Sequence, residues 1–233
     1  MSLYVIGDLH LGIGMDKPMN IFGDNWTDHQ QKIADNWKRK IKDNDWIVLA
    51  GDHSWGTKEQ DILLDLTFIN NLPGNKILLK GNHDIWWKTT KKNNEFLCKY
   101  NLNRIHMLPY GAMPVENVIV CTFRGWICPG AEDYTEADQK IYNREILRLK
   151  ESIRKAMDLR QNNEEIILFM HFPPCINGEK NEITQIIEEN QIKRCYFGHV
   201  HGINNKDCDI HSPFTQYKLI SADFINFDPA FVE

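Results

Sequence analysis

No apolar run in the 233-residue chain approaches the ~20 residues a helix needs to cross a bilayer, and Ile166 to Met170 is among the longest present. No membrane span is expected. The chain passes from Met1 and Ser2 straight into Leu3-Tyr4-Val5-Ile6, with neither a basic segment nor a small-residue cleavage site, so a secretory signal is not expected either. A cytoplasmic protein follows as the expectation. The six cysteines (Cys98, Cys121, Cys128, Cys175, Cys195 and Cys208) include no Cys-x-x-Cys pair and read as reduced, buried thiols. Positive charge is in short supply, with 27 Lys plus Arg against 32 Asp plus Glu and a net charge of −5, which argues against a nucleic-acid partner. Repeats, low-complexity tracts and Pro/Gly/Ser linkers are absent, so residues 1–233 read as a single domain, long enough to bury a core without staples.

What is there is ordinary globular composition, 42% hydrophobic and 25% charged, in short β-branched runs that alternate with polar, helix-like stretches. The strand candidates are Leu3–Ile6, Trp46–Ala50, Lys76–Leu79, Val118–Phe123, Ile166–Met170, Arg194–Phe197 and Tyr217–Ser221. Thr27-Asp-His-Gln30 and Thr57-Lys-Glu-Gln60 have the pattern of capping boxes opening helices. In the first of these, Ile33, Trp37 and Ile41 share one face. Thr135 to Arg160 reads as a long helix burying Ile141, Ile146, Leu149, Ile153 and Met157. Near-continuous apolar strands between amphipathic helices imply an α/β fold with its sheet covered on both faces. The later strands follow with fewer helices between them, which points to mixed pairing.

The polar residues that follow the strands carry the chemistry. Leu3–Ile6 runs into Gly7-Asp8-Leu9-His10, Trp46–Ala50 into Gly51-Asp52-His53, and Lys76–Leu79, through Lys80, into Gly81-Asn82-His83-Asp84. Ile166–Met170 runs into His171-Phe172, and Arg194–Phe197 into Gly198-His199-Val200-His201. In open α/β sheets ligands bind outside the carboxyl ends of the strands, so these clusters should converge on one site. Carboxylates, imidazoles and one amide oxygen, without thiolate, suit borderline divalent ions such as manganese, iron(II) or zinc. The donors outnumber what one four- to six-coordinate ion can use; two ions bridged by one carboxylate would use them all.

In its five ordered blocks, Asp8-x-His10, Gly51-Asp52, Gly81-Asn82-His83-Asp84, His171 and Gly198-His199-x-His201, the sequence resembles the calcineurin-like metallophosphoesterase superfamily, and within it the cyclic-nucleotide-phosphodiesterase-like phosphohydrolases. The resemblance implies a four-layer α/β/β/α sandwich of two mixed sheets with a dinuclear centre at the strand ends. It also implies one ion held by Asp8, His10, Asp52 and His201, a second by Asp52, Asn82, His171 and His199, and Asp52 as the bridge. His83 would stay unligated beside the phosphate as the catalytic group, with Asp84 orienting its ring.

From such a centre follows a metal-dependent phosphohydrolase in which a metal-bridging hydroxide attacks a small phosphodiester or nucleotide in line. Phosphomonoesterase, pyrophosphatase and nuclease activities share the same core, and the roofing loops, Leu11 to Trp26, Arg124 to Thr135 and Cys175 to Asn181, would decide among them. A scaffold protein that has lost chemistry is the competing class, and it would be expected to lack His83 or several ligands. Arg124 is a candidate phosphate clamp, or else a surface arginine paired with Glu132 or Asp133. Trp126 is a candidate stacking platform, as are Trp55, Trp86 and Trp87, although packing accounts for most such residues. His53 is a candidate substrate contact or a plain loop histidine, and His29, His106 and His211 read as structural.

Overall fold

A computed structural model describes residues 1–176, 178–202, 210 and 212–233; Cys208 and His211 lie outside these. Two five-stranded mixed sheets form the centre of the molecule. The first runs in the order β10 (Ala230–Phe231), β1 (Leu3–Ile6), β2 (Trp46–Ala50), β3 (Asn75–Leu79), β4 (Ile105–Met107), with only β10 antiparallel to its neighbour. The second runs β5 (Gly111–Val115), β6 (Val118–Phe123), β7 (Glu165–Met170), β8 (Arg194–Phe197), β9 (Gln216–Leu219), with β5 antiparallel to β6.

The near-continuous apolar strands resolve into two alternating sets, because successive side chains of a strand point to opposite faces. Val5, Val48, Ala50, Ile77 and Leu79 meet Val118, Val120, Ile167, Phe169 and Tyr196 in a core between the sheets. The alternate set of the first sheet, including Ile6, Ile47, Leu49 and Leu78, packs under α1 (His29–Lys40), α2 (Glu59–Asn71) and α3 (Thr90–Lys99). Ile119, Cys121, Phe123, Leu168 and Phe197 pack under α4 (Glu136–Leu159) and α5 (Glu182–Glu189). The result is a four-layer α/β/β/α sandwich. Each buried Val, Leu or Ile side chain contributes roughly 1.5–3 kcal/mol, so three such cores need no covalent staple. Cys121, Cys128, Cys175 and Cys195 are free and buried, while Cys98 is free and exposed. Among the described residues no helix is long and apolar enough to cross a membrane.

Three local expectations are corrected. The strands β4, β5 and β10 have no counterpart among the sequence candidates, and all three are sheet edges. With one neighbour apiece, an edge strand needs little pattern, and β5 even accommodates Pro114. Neither expected capping box forms: Asp28, in a left-handed conformation, precedes α1, Lys58 precedes α2, and neither side chain caps. Thr27 is instead spent closing a 3-10 turn, its amide donating to the Asp24 carbonyl. A working box opens α5, where Asn181 Oδ1 accepts from the Thr184 amide at 3.0 Å and the Thr184 hydroxyl accepts from the Asn181 amide at 2.9 Å. Helix α4 extends as expected and buries Ile146, Leu149 and Ile153, but its inward stripe also carries Tyr142, Glu145, Ser152 and Ala156. Ile141 lies at the border of that stripe and Met157 is 38% exposed. Ile33, Trp37 and Ile41 are buried together, as the spacing predicts.

The exits of β1 and β9 join the two sheets. Gly7 donates to the Ile220 carbonyl at 2.8 Å and accepts from the Ala222 amide at 3.0 Å. The loops after β1 and β2 also zip together, through Asp8 N–H to Gly51 O, His10 N–H to Asp52 O and Leu11 N–H to His53 O. Backbone hydrogen bonding thus draws the polar strand ends of both sheets to a common edge.

Candidate metal centre

Two triads of metal-competent donors occupy that edge: Asp8, His10 and His201, and Asp52, His171 and His199, with the donor atoms of each triad within 4.8 Å of one another. Asp52 lies between them. Its Oδ2 is 3.8 Å from His10 Nε2 of the first group and 3.4 Å from His171 Nε2 of the second. Asn82 completes the second group, with its Oδ1 2.7 Å from His171 Nε2 and 2.9 Å from His199 Nδ1. Asp8 reaches both sides, 3.6 Å from His201 Nε2 and 3.9 Å from His171 Nδ1, and accepts the His199 amide on both oxygens. Asp8, His10, Asp52 and His199 all have positive φ, at 58°, 44°, 53° and 73°. Such backbone costs energy outside glycine, and it is held here by the interlocked loops.

Close approach explains two of the glycines. At Gly51, with φ of 90°, an added Cβ would lie 2.5 Å from His171 Nδ1. At Gly81 it would overlap the Asp52 carboxylate and amide. Any side chain there would push the β2 and β3 loops apart.

The direction of the ring nitrogens tests whether these residues suit cations. His201 Nδ1 lies 2.8 Å from Asp223 Oδ1, and His171 Nδ1 lies 2.9 Å from the Ala50 carbonyl. Because each acceptor requires the proton on Nδ1, the neutral rings turn their Nε2 lone pairs inward. His201 Nε2 then faces His10 Nε2 at 3.2 Å, and His171 Nε2 faces the oxygens of Asn82 and Asp52. Acceptors that converge on acceptors are satisfied only by protons or cations. The donor set therefore fits divalent ions, with Asp223 and the Ala50 carbonyl orienting the rings.

Burial opposes charge throughout the cluster. It pushes His10 down to about 3, and pushes His199 down to about 3 with help from the His171 charge. Asp8 is raised to about 6, again by burial. His171 goes the other way: burial disfavours its charge, but the Asp52 carboxylate lifts it to about 9. Asp52 is correspondingly held well below the usual carboxylate range, the His171 charge outweighing burial.

The other sequence candidates fall in varied places. The His83 side chain is 43% exposed, with Nε2 3.9 Å from Asp52 Oδ2 and the ring against Trp55 at 4.4 Å. Trp55 also stacks on His10 at 4.8 Å. The role expected of Asp84 is corrected. Its buried carboxylate makes no hydrogen bond to the His83 ring; it takes amide protons from Asp52, His53 and Gly81 at 2.8–2.9 Å and the Trp86 indole proton at 3.2 Å. It ties the β2 loop to the β3 loop. His53 is fully buried, with Nε2 2.9 Å from the Leu79 carbonyl, so it is not placed to touch a substrate. Arg124 pairs with neither Glu132 nor Asp133; it turns toward Glu145 of α4, whose Oε1 is 3.6 Å from its Nη2. Trp126 donates to Asp138 at 2.8 Å and packs on Phe172, while Trp86 and Trp87 are buried. His29 is buried behind the site, 3.3 Å from the His10 carbonyl, and His106 lies on the surface beside Trp46.

Two supporting residues escaped the sequence reading. Asp223 orients His201 and accepts the Gly202 amide at 3.0 Å. Asp65 of α2 accepts the Ile13 amide at 2.8 Å and the Ser54 hydroxyl at 2.5 Å, anchoring the loop after β1. For Asp223 a signal existed: it follows the Tyr217–Ser221 run, as the other site residues follow theirs.

A family profile described as calcineurin-like phosphoesterase matches residues 1–202. No curated protein matches the chain. Among solved structures, a protein of unknown function from Aquifex aeolicus is 17% identical, with 99% of this chain and 95% of that one covered and a TM-score of 0.56. The phosphopantetheinyl hydrolase of Mycobacterium tuberculosis is 12% identical over 99% and 95% of the two chains, with a TM-score of 0.57. At these identities the likeness is one of fold.

Proposed function

Because the chain belongs to the calcineurin-like phosphoesterase family, we propose that it is a dinuclear-metal-dependent hydrolase of a small phosphodiester or nucleotide. The observation that carries this reading is the position of Asp52 between two His/Asp triads, within 4 Å of a ring nitrogen in each. Asp8, His10, Asp52 and His201 would hold one ion, and Asp52, Asn82, His171 and His199 the other. Manganese, iron(II) or zinc suits this nitrogen and oxygen donor set. Two such ions, when bound, supply Lewis-acid charge to phosphoryl oxygens and lower the pKa of a water.

The remaining steps belong to the chain's own groups. His83, the part-exposed imidazole beside Asp52, would face a phosphoryl group and give a proton to the departing oxygen. Trp55 limits the tilt of that ring and of His10. Asp223 keeps the proton of His201 on Nδ1, so that Nε2 stays a donor to the centre. Monoester or pyrophosphate hydrolysis would use the same groups. A non-catalytic scaffold is disfavoured by the retention of His83 with its ring open to the cleft.

The test combines metal quantification with turnover of bis(p-nitrophenyl) phosphate under added manganese. Two ions per chain and turnover are expected. Asp52→Asn should lose both, whereas His83→Ala should keep the metal and lose turnover by about 10²–10⁴-fold, the range for a proton-transfer group. Fewer than two ions, or no turnover with any divalent metal, would refute the reading.

A further inference from the structure

Beside the metal centre, on the α4 side, lies a concentration of positive charge that the reaction as described leaves unused. Arg124 leaves β6 next to His171, its carbonyl accepting the His171 amide at 3.1 Å and the Phe172 amide at 3.0 Å. Its guanidinium lies over the Trp126 ring, 4.5 Å from the centroid, and the Trp126 indole is itself fastened to Asp138. The arginine is thus held in place from one side. Its other side faces Glu145, a fully buried carboxylate in the middle of α4.

Glu145 does not satisfy it. Arg148 Nη1 takes Glu145 Oε1 at 2.7 Å, while Arg124 and Arg144 stand off at 3.6 and 3.7 Å, beyond hydrogen-bond length. Arg124 Nε is buried with no partner among the described residues. One carboxylate is therefore surrounded by three guanidinium groups and hydrogen-bonded to one. Lys80, immediately before Gly81-Asn82, lies within electrostatic reach of Arg124 and Arg148 and adds a fourth positive charge. Set against Glu145 and Asp84, which act on Lys80 as well, these four cations leave a local excess of about two positive charges in a chain of net charge −5. A largely buried guanidinium with unfilled donors is costly unless an anion completes it. The cluster is also open on one side, with the side chains of Arg124, Arg148 and Arg144 13, 35 and 53% exposed.

We propose that Arg124 and Arg148, with Lys80, form a subsite for a second phosphate group of the substrate, next to the metal centre that takes the scissile one. The planar fork of Arg124, fixed by Trp126, matches two oxygens of a phosphate that enters from the open side. The substrate class is then a small phosphoester that bears a further terminal phosphate. The choice of substrate rests on the hydrolase reading; the existence of the anion subsite does not.

Two measurements separate these. Metal-free protein is titrated calorimetrically with inorganic pyrophosphate at fixed ionic strength, and the share of the binding that the arginine variants lose reads the cluster, whereas binding they leave intact belongs to the histidines of the centre. Saturable binding is expected in the wild type, at least tenfold weaker in Arg124→Gln and Arg148→Gln, and only partly restored in Arg124→Lys, which keeps the charge but loses the planar fork. Absent binding, or equal binding by all variants, would overturn the subsite. The manganese-loaded enzyme is then compared on the dinucleotide ApA and on ApA carrying a 5′-phosphate. The wild type should prefer the phosphorylated form through KM, and Arg148→Gln should abolish that preference while leaving ApA within twofold. Equal losses on both substrates would overturn the proposal. If neither substrate nor bis(p-nitrophenyl) phosphate turns over, the hydrolase reading fails and the pyrophosphate titration still decides the subsite. Circular dichroism checks each fold, and if Arg124→Gln does not fold, Arg148→Gln, a change at a part-exposed helix position, carries the test.

Discussion

Replacing Asp84 by asparagine tests whether this carboxylate braces the loops or serves the His83 ring. In the structure its two oxygens take four protons: Oδ2 from the Asp52 and Gly81 amides, Oδ1 from the His53 amide and the Trp86 indole. An asparagine has one carbonyl oxygen and can keep one of these pairs. The other two donors would then face an NH₂ group in a buried site. Each orphaned donor costs about 1–3 kcal/mol, so Asp84→Asn should destabilise the protein by about 2–6 kcal/mol. That is a large share of the ~5–15 kcal/mol by which a domain is stable. Urea unfolding of chelator-treated wild type and variant measures it without reference to metal or turnover. A metal-loaded comparison should show impaired ion binding too, because the same brace positions Asp52. If Asp84→Asn unfolds within about 0.5 kcal/mol of wild type, the range of surface changes, yet turns over slowly with both ions bound, the brace is wrong and the carboxylate acts through His83.

Asp223→Ala should weaken metal binding about 10–100-fold by freeing the His201 ring, as expected for the outer partner of a ligating histidine. Competition with a chelating dye measures this; unchanged affinity would remove Asp223 from the site. Lys76 gives a pH prediction. Its buried ammonium donates to the carbonyls of Asn70, at 3.2 Å, and Leu72 at the end of α2, and burial, then the Arg104 charge, pushes it down to about 7 from 10.5. Between those values the unfolded chain holds a proton that the folded chain has shed, so this group makes stability rise with pH across that window. Lys76→Met should remove that contribution. The wild-type minus variant difference in unfolding free energy should grow from pH 7 to pH 10, and a flat difference would show that Lys76 does not titrate there.

How much was legible follows the range of each interaction. The strands β1, β2, β6 and β8 run over the residues their apolar runs mark, and donors that follow such a run lie at strand ends whatever the topology. Eight of the polar candidates, Asp8, His10, Asp52, Asn82, His83, His171, His199 and His201, accordingly meet in one cleft. Whereas the edge strand β9 overlaps its marked run Tyr217–Ser221, the edge strands β4, β5 and β10 were not legible, being very short or holding a proline. Nor was the direction of Asp84, which belongs to the same block as Asn82 and His83 but turns inward because three amides and an indole converge behind it.

Alternation of apolar runs and helices, and the donors placed after the runs, were written in the chain: they settled the α/β class and the donor types gathered at the centre, because burial patterns and ligand types are properties of residues. Whether a carboxylate braces, bridges or orients was decided only when distant segments met. Asp223 found His201 across 22 positions, and Arg124 found Glu145 across β6 and α4 rather than the acids near it in sequence. Such roles depend on which hydrogen-bond donors and charges lie within a few ångströms, and that neighbourhood exists only once the two sheets are packed.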